Sequence, residues 1–138
     1  HPIHASDLTQ GLAVRLGLSP YAIDIHQPLK MQIEGGPTLE LGFMEEWPLV
    51  QVAIRLGYVN EALRAQAIGT LMLVNGRNGP SHPHFALAND KSTVVLCRTL
   101  ALQGQSSESI WEELKTMGAQ AQALRQEMAI NQFINYAS

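Results

Sequence analysis

The chain has a single cysteine, few aromatic residues (6%) and little charge: 15% of its residues are Asp, Glu, Lys or Arg, against about 25% in an average soluble domain. Cys97 has no partner for an internal disulfide, so nothing asks for an oxidising compartment, and a reducing cytosol is the expected location. Lys and Arg number 9 against 12 Asp and Glu, for a net charge of -3, and no basic residues cluster. That argues against nucleic acid or an anionic membrane as a partner. No apolar run approaches the roughly 18 residues of a membrane span, and the N-terminus lacks the basic-then-apolar order of a signal peptide. A soluble protein, not exported through a cleaved signal, is expected.

What is present suits one domain over residues 1–138, with 1–6 and 131–138 peripheral. A chain of 138 residues, 46% of them apolar, buries about two-thirds of its unfolded surface without disulfides or metals. With so few charges to cover the outside, some apolar area is left to face a partner.

Periodicity supplies the elements. Leu8, Leu12 and Leu16 recur every four residues behind Ser6 and Asp7, and Gly17 stops them, predicting a helix over 7–16. Leu29, Met31 and Ile33 alternate with polar residues, Gly35-Gly36-Pro37 makes a turn, and Leu39, Leu41 and Phe43 alternate again. Val50, Val52, Ile54 and Leu56 give a third strand, which Pro48 admits only at its start. Asn60 caps a helix over 61–74 that carries Leu63, Ala67, Leu71 and Val74 on one stripe, and Asn75-Gly76 ends it. Residues 75–83 read as loop. HFALA at 84–88 and VVLCRTLAL at 94–102 are strands, the second apolar on both faces and therefore covered twice. Ser106 or Ser107 then caps a long helix over 107–130 whose seam is Ile110, Leu114, Met117, Ala121, Leu124 and Met128. The fold class is α+β, with about five strands in an antiparallel twisted sheet, three helices and the order α-β-β-β-α-β-β-α.

A search for chemistry finds none. Cys97 lies mid-strand in an apolar run, where a buried, inert thiol is expected and a nucleophile is not. His82 and His84, even joined by His26, fall short of a zinc site with second-shell support. NGRNGP lacks the Gly-Lys-Ser/Thr ending of a P-loop and follows a helix instead of a strand. Glu45-Glu46 and Glu112-Glu113 are adjacent, so their side chains diverge and do not make an acid/base couple. No catalytic residue, metal ligand or cofactor is assigned, and the chain is expected not to be an enzyme.

The order of elements is similar to that of a known family. DLTQGLAVRLGL opens the domain; a helix ending in LMLVN precedes a loop and HFALAND; VVLCRTLAL is followed by a polar break and SIWEELKTMGAQAQALRQEM. Over about residues 7–130 this resembles the class I type III secretion chaperones, the CesT/SycE-like family of small acidic bacterial proteins. The resemblance implies a cytoplasmic homodimer that holds the N-terminal segment of a secreted effector as an extended chain and keeps it soluble. It places effector-binding pockets at Leu8, Leu12, Leu16, Leu29, Met31, Ile33, Leu39 and Leu41, each of which could equally be ordinary core. It places the dimer interface at Ile68, Leu71, Met72, Val95, Cys97 and Thr99, so that the second cover of VVLCRTLAL would be another copy of the chain. Two features depart from the family pattern. The loop from Gly76 to Pro83 is long, and AINQFINYAS at 129–138 extends past the last helix, with Phe133, Ile134 and Tyr136 apolar enough to dock on something, an effector included. Arg98, opposite in direction to Cys97, requires a carboxylate or water that the sequence does not identify. A small YbjN-like regulatory domain of similar fold is the alternative, and a cysteine or histidine enzyme ranks last.

Overall fold

The computed structural model describes residues 5–15, 19, 26–32, 37–44, 49–79 and 82–135, with no side-chain detail at 5–9 and 44. Three helices, α1 (Ala5–Arg15), α2 (Arg64–Arg77, entered through a 3-10 turn Glu61–Leu63) and α3 (Ser107–Ile130), accompany six strands. These are β1 (Leu29–Gln32), β2 (Thr38–Met44), β3 (Leu49–Val59), β4 (His84–Leu87), β5 (Thr93–Ala101) and β6 (Ile134–Asn135). They form one antiparallel sheet in the order β1-β2-β3-β5-β4, with β6 also on β3.

Register sorts the side chains. Leu39 opposes Ile54, Leu41 opposes Val52 and Phe43 opposes Val50, while Ile54 opposes Leu96 and Val50 opposes Leu100. Opposed residues share a face, so the alternating apolar residues of these three strands make one apolar surface. Against it lies α3, whose Ile110, Leu114, Met117, Ala121 and Met128 are buried, with Leu124 packed beside them. This is the seam expected from the sequence. Ser106 caps α3 as a full capping box: its hydroxyl accepts from Ser109 N–H, and Ser109 answers at Ser106 N–H. Helix α1 adds Leu12 and Ala13 to the core. It crosses α3 so closely that a Cβ on Gly11 would come within 2.5 Å of Ser107 Cβ.

Three sequence expectations are corrected. The Asn75-Gly76 pair does not end α2, which runs on to Arg77. The sheet has a sixth strand, and the C-terminal segment through residue 135 is not peripheral: Ile134 is buried and Phe133 packs on the core. The reason is a vacancy on β3. The last rung between β2 and β3 is Leu39 with Ile54, whereas β5 follows β3 as far as Tyr58. The β2 side of Tyr58 and Val59 is therefore open, and β6 pairs there through Asn135 and Ile134. The approach is tight, since a Cβ on Gly57 would collide with the Asn135 carbonyl oxygen. Asn60 secures the junction. Its Oδ1 accepts from Ala62 N–H at 3.2 Å, while its Nδ2 and N–H donate to the carbonyls of Gln132 (2.8 Å) and Phe133 (2.9 Å).

The β4–β5 hairpin is tied by Asp90. Its carboxylate accepts from the Thr93 hydroxyl at 2.6 Å and from the Thr93 and Ser92 N–H groups at 2.8 and 2.9 Å. These bonds, led by the Thr93 hydroxyl, lower its pKa from 3.8 to about 2. A carboxylate with a depressed folded pKa contributes stability above its unfolded pKa and loses it as pH falls through the folded one. Acid unfolding should therefore include a component, between about pH 4 and pH 2, that Asp90→Asn removes. Urea titrations across this range would read it; an unchanged pH dependence in the variant would contradict the assignment.

Candidate protein-interaction site

The helices reach one face of the sheet only. On the other, Ala53 opposes Cys97, Gln51 opposes Thr99 and Arg55 opposes Val95, with His84 and Ala86 beyond them on β4. Glu40 continues the row on β2 and Lys30 opposes it on β1. No helix among the described residues covers this surface, which is built of small side chains edged by charge. It carries a groove of about 420 Å³ lined by Lys30, Glu40, Ala53, Arg55, Asp90 and Val95, among others. The Arg55 guanidinium donates to Tyr58 Oη at 2.7 Å and stacks 5.2 Å from the centre of that ring.

Arg98 projects toward the helices, opposite Val52 in register. Its missing carboxylate is Glu113 of α3, 3.9 Å away. The Glu pair diverges as expected: Glu112 turns outward to Lys115 at 2.9 Å and Glu113 inward. Glu113 Oε2 is buried and makes no hydrogen bond.

Two apolar clefts flank Phe85 between α2, β4 and α3. One of about 350 Å³ includes Val74, His82, Pro83 and Gln120, and the other, of about 250 Å³, includes Leu71, Met128 and Phe133; Val74, Phe85 and Leu124 belong to both. Met72 and Leu73 stand out of α2, 67% and 56% exposed.

Of the proposed pocket residues, Leu12, Met31, Leu39 and Leu41 lie in the protomer's own core and Leu29 packs against it. The Leu8 side chain, Leu16 and Ile33 lie outside the described residues. The proposed dimer residues divide between two surfaces. Leu71 faces the core, Ile68 is half-buried and Met72 is exposed on α2, whereas Val95, Cys97 and Thr99 lie on the uncovered face. Within one protomer they do not form a single patch. Sequence reasoning missed Asn75, whose side chain binds β4, because Asn-Gly reads as a turn.

Burial raises the pKa of Cys97, which keeps the thiol protonated and disfavours attack. Among the described residues no three His, Cys, Asp or Glu come together as metal ligands. No helix there is long and apolar enough to cross a membrane.

No family model and no curated protein matches the chain. Solved structures do. A chain of the ExsC-ExsE complex matches 88% of this protein over 90% of its own length, with a TM-score of 0.70 and 16% identity. A chain of the ExoU-SpcU complex from the type III secretion system of Pseudomonas aeruginosa matches 86% over 94%, at 0.63 and 20%. The complex of the Yersinia pestis type III secretion chaperone SycH with a stable fragment of YscM2 gives 86% over 98%, at 0.62 and 19%. The fold is that of the type III secretion chaperones. YbjN from E. coli has it too, matching 98% of both chains at a TM-score of 0.68 and 15% identity. In this chain the fold leaves, among the described residues, one sheet face without a helix over it and Met72 and Leu73 exposed on α2.

The Arg98 and Glu113 side chains are 30% and 35% exposed, so their attraction is damped by solvent. Removing one partner has a larger effect, because the other charge is left against the apolar sheet. Arg98→Met should destabilise the chain by about 1–3 kcal/mol in urea unfolding, and Arg98→Met with Glu113→Leu should recover most of the loss. Strict additivity of the two single losses would contradict the pairing.

Proposed function

We propose that this protein is a cytosolic bacterial type III secretion chaperone, a binding protein without turnover, which holds the N-terminal segment of a cognate effector as an extended chain. The observation that carries the reading is the match, along most of the chain, to structures that include the SycH chaperone and the HopA1-SchA chaperone-effector complex. Physical reasoning supports it. An extended segment can add a strand to a sheet edge while its alternate side chains enter apolar pockets, and a large wrapped surface offsets the entropy lost on ordering. Strand β1 is an outer strand of the sheet, and the Lys30 and Gln32 side chains are exposed on it. Of the pocket residues Leu8, Leu12, Leu16, Leu29, Met31, Ile33, Leu39 and Leu41, those on β1 and β2 (Leu29, Met31, Leu39 and Leu41) stand at that end of the sheet, and Leu12 enters the core from α1. Most of those described contribute from beneath, shaping the surface more than contacting the effector.

The chain acts as a homodimer in this reading. An isologous interface can join two surfaces that lie apart on one protomer. Met72 and Leu73 of one copy would rest on the face of Val95, Cys97 and Thr99 in the other, covering the most exposed apolar residues of α2 and the bare strands together. The YbjN match favours a second reading, a small regulatory domain that handles no effector.

Co-expression with the N-terminal segment of a secreted protein encoded beside this gene separates the two. The chaperone reading requires a stable complex whose light-scattering mass corresponds to two copies of this chain with bound segment. A monomer that co-purifies with no such segment would contradict it.

A further inference from the structure

The outer strands of the main sheet are β1 and β4, and an outer strand offers unpaired N–H and C=O groups to any extended chain that approaches. At its centre β4 is not open in this way. Asn75 of α2 lies along its outer side and stands in for a neighbouring strand. Its Nδ2 donates to the Phe85 carbonyl oxygen at 2.9 Å, and its Oδ1 accepts from the Phe85 N–H at 2.8 Å. A carboxamide carries one donor group and one acceptor, so a single side chain satisfies both outward groups of one strand residue.

The position matters. Ala88 N–H bonds to the Thr93 carbonyl oxygen of β5 at 2.8 Å. Antiparallel residues alternate in direction, so His84 and Ala86 also face β5, while Phe85 and Leu87 face outward. In a strand of four residues an incoming chain has two outward positions to use, and Asn75 occupies one. The amide is held from a helix anchored in the core by Ala67 and Leu71.

We infer that Asn75 is an edge lock: it closes the β4 edge to strand addition and confines an extended partner chain to the opposite side of the sheet. That this partner is an effector segment rests on the function proposed above; the lock itself concerns the full chain alone.

Two variants of the full chain test it. Asn75→Leu is nearly isosteric and a better helix former, so it removes both hydrogen bonds and preserves α2; Asn75→Ala removes them with a smaller side chain. In the wild type, the Phe85 amide should exchange with solvent about as slowly as the inward Ala88 amide. In Asn75→Leu it should exchange about tenfold faster relative to Ala88. The variant, which should stay folded though somewhat less stable because the Phe85 N–H and carbonyl lose their partners, should also self-associate beyond the wild-type mass as concentration rises, with an infrared signal of intermolecular strands. Unaltered Phe85 exchange, or a wild-type mass at every concentration in both variants, would overturn the lock. A chain that binds no effector segment but self-associates as Asn75→Leu keeps the lock and loses the chaperone reading. One that binds the segment while Asn75→Leu behaves as wild type does the reverse.

Discussion

Everything in this protein depends on one contact, the apolar seam of α3 laid across β2, β3 and β5. Ile110, Leu114, Met117 and Ala121 meet Leu41, Val52, Ile54 and Leu96 in a single buried cluster. Each fully buried aliphatic side chain contributes on the order of 1.5–3 kcal/mol, and no other helix presents so long a buried stripe. Helices α1 and α2 extend the same cover, adding Leu12 near the start of α3 and Ala67 and Leu71 beside β4. Since all three pack on one side, no helix among the described residues covers the opposite face of the sheet. On this face Ala53, Val95, Cys97 and Thr99 are small and uncharged, and charge is confined to the groove beside them, in Lys30, Glu40, Arg55 and Asp90.

How far the sequence was legible follows from how local each signal is. The α3 seam and its serine cap were plain, because period and capping act within a few residues. The three-strand meander was plain for the same reason, with Leu39, Leu41, Val50 and Val52 alternating as a half-buried sheet requires. Asn75-Gly76 misled because the local meaning of the pair is a turn, whereas its tertiary use is to bind β4 from a helix that continues for two more residues. Strand β6 was invisible: two residues have no period, and their place exists only because β2 stops pairing at Leu39 while β3 continues to Val59. Gly57 is the trace it left in the sequence, a glycine inside a strong strand, the usual mark of a close backbone approach. The partner of Arg98 was equally non-local, since Glu113 meets it only once α3 is laid on β5. Of the candidate site, Val95, Cys97 and Thr99 share the sheet face that no described helix covers, while most of the described pocket residues lie beneath the surface.

Strand edges and strand ends are managed with unusual care for so small a sheet. Asn60 caps the 3-10 turn that leads into α2 and anchors the turn before β6, so the C-terminal segment and the entry to the second helix share one support. Asn75 ends the sheet at β4. A free edge cannot distinguish a proper partner strand from another copy of the same chain, so occupying it limits unwanted pairing.

The central claim is that the uncovered face belongs against a second copy of the chain, and Cys97 reports on it directly, being half-buried there in the isolated protomer. The measurement is the rate at which a maleimide modifies Cys97 in the native chain as a function of protein concentration. Coverage by a second copy requires the rate to fall as concentration rises and to level off once the dimer is fully formed. A rate that is the same in dilute and concentrated solution, in a chain that remains folded throughout, would contradict it.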